Sequence, residues 1–251
     1  MSLPLFVAGR GALDLAVAGA PLVLAGDEGR HAAAVRRIRA GEHLEVADGA
    51  GRVARCLVDR AERDRLLLRV EAVRDVPARL PRLVLVQALA KGGRDELAVE
   101  TATEFGVDAV VPWQAARSVV QWSGERGDRG RRRWEATALA AAKQSRRPTV
   151  PAVEPLTTTA DLAARAAAGD RVLVLHEAAD RPLTSASSTV LAGEAASILI
   201  VVGPEGGIAD DELARLAAAG ALAVRLGPEV LRSSSAGAAA VAVLSVLLNR
   251  W

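Results

Sequence analysis

Two patterns of apolar and polar positions divide the chain. Early on, short apolar stretches alternate with polar residues, as in Leu44-Glu45-Val46, Val53-Ala54-Arg55-Cys56-Leu57-Val58 and Leu66-Leu67-Leu68-Arg69-Val70, with a turn signal at Asp48-Gly49-Ala50-Gly51. Alternation of period two between turn residues predicts half-buried strands. Residues 1–74 therefore read as a small β-barrel domain, with a short helix over Gly29 to Ala40. The segment Asp75-Val76-Pro77-Ala78-Arg79-Leu80-Pro81 carries two prolines, which continue neither a helix nor a central strand, and 75–81 reads as a linker.

From residue 82 to residue 251 the pattern changes. Leu83-Val84-Leu85-Val86, Val172-Leu173-Val174-Leu175 and Ile198-Leu199-Ile200-Val201-Val202 are continuous apolar runs, as expected of strands covered on both faces. Ala109-Val110-Val111 and Ala223 to Leu226 add two more. Helical stretches lie between them: Arg94 to Phe105, closed by Gly106; Arg131 to Gln144; Leu162 to Ala168; a helix capped by Asp210 and ending at Gly220; and a last helix capped by Ser233 or Ser234. Thr184 to Thr189 reads as loop. Alternating strands and helices predict an α/β fold with a parallel sheet.

Composition trims the possibilities. The 251 residues are 51% hydrophobic, much of it alanine, and only 2% aromatic, so a packed enzyme fits better than a disordered chain or an aromatic base-stacking platform. The formal net charge is +2, and Lys91 and Lys143 are the only lysines. That argues against a general polycation but leaves room for a local arginine patch, arginine being the better fork for phosphates and base edges. Cys56 stands alone, so no intramolecular disulfide is possible, which fits a reducing cytoplasm. The start shows no basic stretch ahead of a long apolar run, so no secretory signal is expected. The run from Ala236 to Leu248 falls short of the roughly 20 residues that span a bilayer. His31, His43 and His176 have no partners at metal-ligand spacing, so no metal is expected. His31 reads as packed in the barrel, and Trp113, Trp122, Trp134 and Trp251 as packing or dimer-contact residues rather than base stackers.

In an open parallel sheet, ligands bind beyond the carboxyl ends of the strands. Three segments fall there: Leu175-His176-Glu177, Gly203-Pro204-Glu205-Gly206-Gly207 and Leu226-Gly227-Pro228-Glu229-Val230-Leu231-Arg232. Three glycines around Pro204-Glu205 let backbone approach a ligand closely, and neither a Walker loop nor Gly-x-Gly-x-x-Gly is present. Arg232 precedes the start of the last helix, where a cation is locally unfavourable. It is either solvated or facing an anionic or carbonyl-bearing partner.

Taken together, these segments resemble the SPOUT superfamily of RNA methyltransferases, and most closely the ribosomal RNA small subunit methyltransferase E family. Gly-Pro-Glu-Gly-Gly stands intact at 203–207, followed by Asp210-Asp211-Glu212. Further matches are Leu226-Gly227 through Val230-Leu231-Arg232, Lys91-Gly92, Glu104-Phe105-Gly106-Val107, Arg117-Ser118-Val119, Gln144-Ser145-Arg146-Arg147 and Val150-Pro151. In the small domain His31, Val35, Arg37, Gly41 and Asp48-Gly49 keep the family's spacing. The resemblance covers nearly the whole chain. Two departures stand out: the family's Thr-Glu-Thr is Ser233-Ser234-Ser235, and a position that is often basic is Glu229.

The resemblance implies a PUA-like RNA-binding barrel followed by a trefoil-knotted methyltransferase domain, working as a cytoplasmic homodimer. It implies that S-adenosylmethionine lies against Leu175, His176, Glu177, Gly203, Pro204, Glu205, Gly206, Gly207, Leu226, Gly227, Val230, Leu231 and Arg232. The expected reaction is methylation of N3 of a uridine in 16S rRNA, free or in the small ribosomal subunit. Arg232 is expected to stabilise charge on the uracil. Glu205 is a candidate base whose other role is to shape its loop. Arg10, Arg37, Lys91, Arg117, Gln144 and Arg147 are candidate RNA contacts, each also readable as a solvated side chain. Two further readings stay open: a related enzyme acting on tRNA or a ribose 2′-hydroxyl, and a non-catalytic RNA-binding assembly factor.

Overall fold

The computed structural model describes residues 3–186 and 195–251. The chain forms two compact units: Met1–Ala78 with Ala142–Val150, and Arg79–Ala141 with Pro151–Trp251. Residues 142–150 thus join the first unit, whereas the sequence reading kept everything beyond residue 81 in the second. The physical reason is local pairing. Val150 donates its backbone N–H to the Gly49 carbonyl at 2.9 Å, and Thr149 bridges Gly49 and Ala50.

The first unit is a five-stranded sheet in the order β1-β3-β4-β5-β2. Its strands are β1 (Leu5–Val7), β2 (Pro21–Leu24), β3 (His43–Ala47), β4 (Arg52–Ala61) and β5 (Leu66–Asp75). β1 and β3 run parallel and the other pairs antiparallel. Inward residues such as Leu44, Val46, Ala54, Cys56, Val58, Leu66 and Leu68 form one core. The Asp48 turn is built as its residues predict: the carboxylate accepts from the amides of Ala50, Gly51 and Arg52 at 2.7–3.0 Å. The helix expected over 29–40 is instead α1 (Gly26–Arg30), continued by a π-helical turn over His31–Val35. Gly29 sits where a Cβ would lie 2.5 Å from the Leu24 carbonyl oxygen and 2.7 Å from that of Asp64, so only glycine lets the helix approach so closely. His31 is exposed and meets Phe6 edge-on, so it does not pack in the core as expected.

The second unit is a six-stranded, all-parallel sheet in the order β11-β9-β10-β6-β7-β8. Its strands are β6 (Arg82–Ala88), β7 (Ala109–Trp113), β8 (Ala152–Val153), β9 (Arg171–Leu175), β10 (Ser197–Val202) and β11 (Leu222–Val224). Every residue of β10 is buried, as its unbroken apolar run requires. The helices are α2 (Arg94–Glu104), α3 (Gly124–Gln144), α4 (Thr159–Ala167), α5 (Asp210–Ala218) and α6 (Ser233–Leu247). α3 begins seven residues before the predicted Arg131. A 3-10 turn over Leu183–Ala186 replaces the start of the expected loop at 184–189; the rest of that stretch lies outside the described residues.

Two predicted caps differ. Asp210 is the first residue of α5 rather than its cap, and Glu212 reaches back to the Ala209 amide at 3.4 Å. The same carboxylate accepts from the Ala116 amide and the Thr159 hydroxyl, so it ties three segments together. Arg232, not a serine, occupies the cap position of α6, with no side-chain cap bond. α6 packs on the sheet at Gly237, where a Cβ would come within 2.7 Å of the Leu85 side chain. Among the described residues no helix is long and apolar enough to cross a membrane.

Candidate functional site

The strand order sets the site. β11, β9, β10 and β6 are neighbours, although they are far apart in sequence. Their carboxyl ends release four loops at one rim of the sheet, and these loops enclose a cavity of about 520 Å³. The β9 loop contributes Leu175, His176 and Glu177. The β10 loop contributes Gly203, Pro204, Glu205 and Gly207. The loop after β11 contributes Val230, Leu231 and Arg232. A smaller hollow of about 70 Å³ shares Leu175, His176 and Glu177 and is lined further by Leu226 and Gly227. Gly206 lines neither hollow. A Cβ added there would lie 3.4 Å from Arg117 Cβ, so Gly206 turns its Cβ side to Arg117.

Each loop is held by local chemistry. Gly207 takes a left-handed φ of +74° and donates to the Pro204 carbonyl at 2.9 Å, closing the turn. A Cβ on Gly203 would come within 2.7 Å of Ile208 Cγ1. The Arg117 guanidinium donates to the carbonyls of Gly206 at 3.2 Å and Ile208 at 3.4 Å, bracing the loop from outside. The His176 amide bonds the Val224 carbonyl, and His176 Nδ1 accepts from the Ala178 amide at 3.2 Å.

Arg94, at the start of α2, also lines the cavity and was not singled out from the sequence. Its Nη1 donates to Glu205 Oε1 at 2.6 Å. Partial burial would push the Glu205 carboxyl up, but the Arg94 hydrogen bond, its own backbone amide and the charges of Arg94 and Lys91 outweigh it and hold it below the usual value. A carboxylate so held is a poor general base at neutral pH. Ser233 is another residue the sequence reading left out of the site. It lines the cavity, and its Oγ is buried without a hydrogen-bond partner among the described residues. A buried hydroxyl facing a cavity with no partner fits a ligand that supplies one. Apolar walls from Val202, Ile208, Val230 and Ala236, two carboxylates and an orphan hydroxyl suit a ligand with an apolar body and a cationic end.

The candidate RNA contacts divide between the units. Arg10, Arg37, Gln144 and Arg147 lie in the first, and Lys91 and Arg117 in the second. All but half-buried Arg147 are exposed. Among the described residues no group of three or more His, Cys, Asp or Glu side chains is placed to hold a metal ion.

Comparison with known proteins adds to this geometry. Residues 78–245 match the model of an RNA methyltransferase domain, and residues 24–71 that of an RNA methyltransferase PUA domain. The chain is 52% identical over 237 residues to ribosomal RNA small subunit methyltransferase E of Mycobacterium bovis, covering 93% of this chain and 89% of that one. It is 30% identical over 226 residues to the protein of the same name from Bacillus subtilis, covering 88% of each. Among solved structures, ribosomal RNA small subunit methyltransferase E from Neisseria gonorrhoeae bound to S-adenosyl methionine superimposes with a TM-score of 0.83 at 24% identity, over 98% of both chains. That likeness establishes a shared fold.

Proposed function

This chain belongs to the ribosomal RNA small subunit methyltransferase E family, and from that premise we propose that it methylates N3 of a uridine in 16S rRNA. It is an S-adenosylmethionine-dependent RNA methyltransferase with a PUA-like domain, which sets aside the reading as a non-catalytic assembly factor. The observation that carries the reading is the meeting of the three strand-end segments in one cavity.

S-adenosylmethionine supplies an electrophilic methyl carbon when bound. Glu177 and Glu205 place negative charge beside that cationic ligand, and the Ser233 hydroxyl offers a hydrogen bond. Leu226 and Gly227 extend the site into the smaller hollow. N3 of uridine is protonated at neutral pH, so its proton must leave and charge must spread onto O2 and O4. Arg232 forms no ion pair among the described residues and lines the cavity, so its guanidinium is available to hold that charge. Glu205 is tied to Arg94 and serves to shape the loop. Lys91, Arg117, Arg10, Arg37, Gln144 and Arg147 are the proposed RNA contacts.

The reading extends to a cytoplasmic homodimer and a knotted passage of α6. α2 and α6 pack together, with Leu97, Phe105, Val246 and Trp251 exposed on or just beyond them and Phe105 and Trp251 in ring contact at 5.7 Å. Exposed apolar side chains of this kind support a partner subunit. α6 also contacts the 3-10 turn after β9, as threading of the chain end would require.

Nucleoside mass spectrometry of 16S rRNA tests the function. A strain lacking this gene is expected to lack 3-methyluridine, and the wild-type gene to restore it. Undiminished 3-methyluridine in the deletion strain would overturn the assignment.

A further inference from the structure

A second cavity in the same unit, of about 540 Å³, has a different lining. One wall is the amino-terminal half of α3. Arg126, Arg129 and Arg133 fall on one stripe of that helix at spacings of three and four residues and all line the hollow. The opposite wall is the turn that follows β6, with Lys91, Gly92 and Gly93. Gly92 and Gly93 have left-handed φ of +70° and +74°. Trp122 closes one side.

Only part of the charge is spent within the protein. Glu96 is paired with Arg133 at 2.9 Å, and Asp95 is buried, accepting the Glu96 amide at 3.0 Å. Among the described residues Arg129 forms an ion pair only with Glu125, at 3.4 Å, and both side chains are mostly exposed, so that pair is weak. Lys91 and Arg126 have no ion pair among the described residues. Four cations against two satisfied carboxylates leave a positive hollow.

Trp122 is held in place. Its indole lies over Gly130, where a Cβ would fall 2.4 Å from Cε2, and it meets the Trp134 ring at 5.2 Å in a T-shaped contact. Gln114 fixes the preceding loop at both ends, donating to the Val120 carbonyl at 3.0 Å and accepting from the Trp122 amide at 3.2 Å. The ring remains half-buried and lines the hollow. A pre-set indole beside free cations suits a base and its phosphate. Lys91 lines this hollow and Arg94, three residues later, lines the first, so the two cavities flank a single turn.

We propose that this second hollow seats the RNA strand next to the target nucleotide, with Lys91 and Arg126 on phosphate oxygens and Trp122 beneath a neighbouring base. The proposal rests on the RNA methyltransferase reading and adds to it a strand-binding subsite with Arg126, Arg129 and Trp122 as its residues. The exposed position of Arg126 makes it the cleanest probe of the four cations, without an ion pair to break among the described residues.

The test is binding of a labelled single-stranded oligouridylate across a salt series, with calorimetry of S-adenosylmethionine run alongside. Arg126→Glu is expected to weaken RNA binding about tenfold and to lower the slope of log affinity against log salt by about 0.7, the contribution of one phosphate contact on a single strand. Arg126→Lys is expected to keep the slope. Tryptophan emission should be quenched by the oligonucleotide in the wild type and much less in Trp122→Phe. Inorganic phosphate at constant ionic strength should compete only weakly, because a strand offers a base as well. Unchanged RNA affinity and slope in Arg126→Glu would overturn the proposal, as would full competition by inorganic phosphate. Failure of the underlying reading would look different: a wild-type chain with no affinity for S-adenosylmethionine.

Discussion

The two cavities of the second unit are nearly equal in size, about 520 and 540 Å³, and opposite in construction. The first is made by loops at strand tips, with apolar walls, a closed turn at 203–207 and cations tied down or singly placed. The second is made by a helix face and a glycine turn, with two cations, Lys91 and Arg126, unpaired among the described residues. Volume does not separate a pocket for a compact cationic ligand from a seat for a polyanion. What separates them is which charges the protein has already neutralised. Arg94 is committed to Glu205 at 2.6 Å, whereas Arg126 is committed to nothing among the described residues. The first arrangement spends charge on fixing a loop, and the second holds charge for a partner.

The strongest challenge to this contrast is Arg232, the one cation of the first cavity assigned to chemistry. Arg232→Ala is expected to lower kcat by about 10²–10³-fold while leaving S-adenosylmethionine affinity within about twofold, as removal of a charge-stabilising donor does. Steady-state kinetics with calorimetry checks this. An Arg232→Ala enzyme at full rate would remove the catalytic role; one that only loses cofactor affinity would make the first cavity purely a binding site.

A pair of glycines sharpens the contrast further. Gly203→Ala pushes a methyl into Ile208 beside the first cavity, and Gly130→Ala pushes one into the Trp122 indole beside the second. Overpacking of this kind costs about 1–3 kcal/mol. Gly130→Ala should be the costlier, because a rigid ring yields less than the flexible end of an isoleucine. In binding, the two should dissociate: Gly203→Ala weakens S-adenosylmethionine and spares RNA, and Gly130→Ala does the reverse. Denaturant melts and the two titrations check both parts. Loss of both ligands in both variants would mean one continuous site.

The first cavity was far more legible in the sequence than the second, for a physical reason. Glycine and proline placed just after an apolar run mark a strand tip, so 203–207 and 226–232 declare themselves locally. Arg94 and Ser233 do not. Arg94 reaches the cavity because β6 lies beside β10, a neighbourhood that strand order creates and local pattern does not carry. Gly206 belongs to the motif for a reason the local pattern does not show: a side chain there would meet Arg117. In the second cavity Lys91 came forward only through resemblance, and the arginines of α3 merged with an arginine-rich background. The signal that would have found them is their spacing of three and four once the helix is extended back to Gly124. Residues 142–150 were misassigned on the same account, because their pairing with the Asp48 turn is long-range.

The smallest expected effect concerns pH and asks whether Arg94 is indeed spent on its loop. The Glu205 carboxyl lies below its ordinary 4.5: burial works to raise it, and the Arg94 hydrogen bond with the nearby positive charges prevails. A carboxyl depressed by folding contributes stability that is fully present above its unfolded value and is lost as pH falls through its folded value. Because protonation removes the negative charge that Glu205 places beside the cationic ligand, S-adenosylmethionine affinity should likewise stay level from neutrality down to the ordinary carboxylate range and decline only below it. Arg94→Gln removes the chief lowering influence and leaves burial to act, so its decline should begin at higher pH, with little difference from the wild type at neutrality. Calorimetric titration across that range checks both curves. Superimposable curves for the two proteins would show that Arg94 does not hold Glu205 in solution, and the first cavity would then contain a second uncommitted cation beside Arg232.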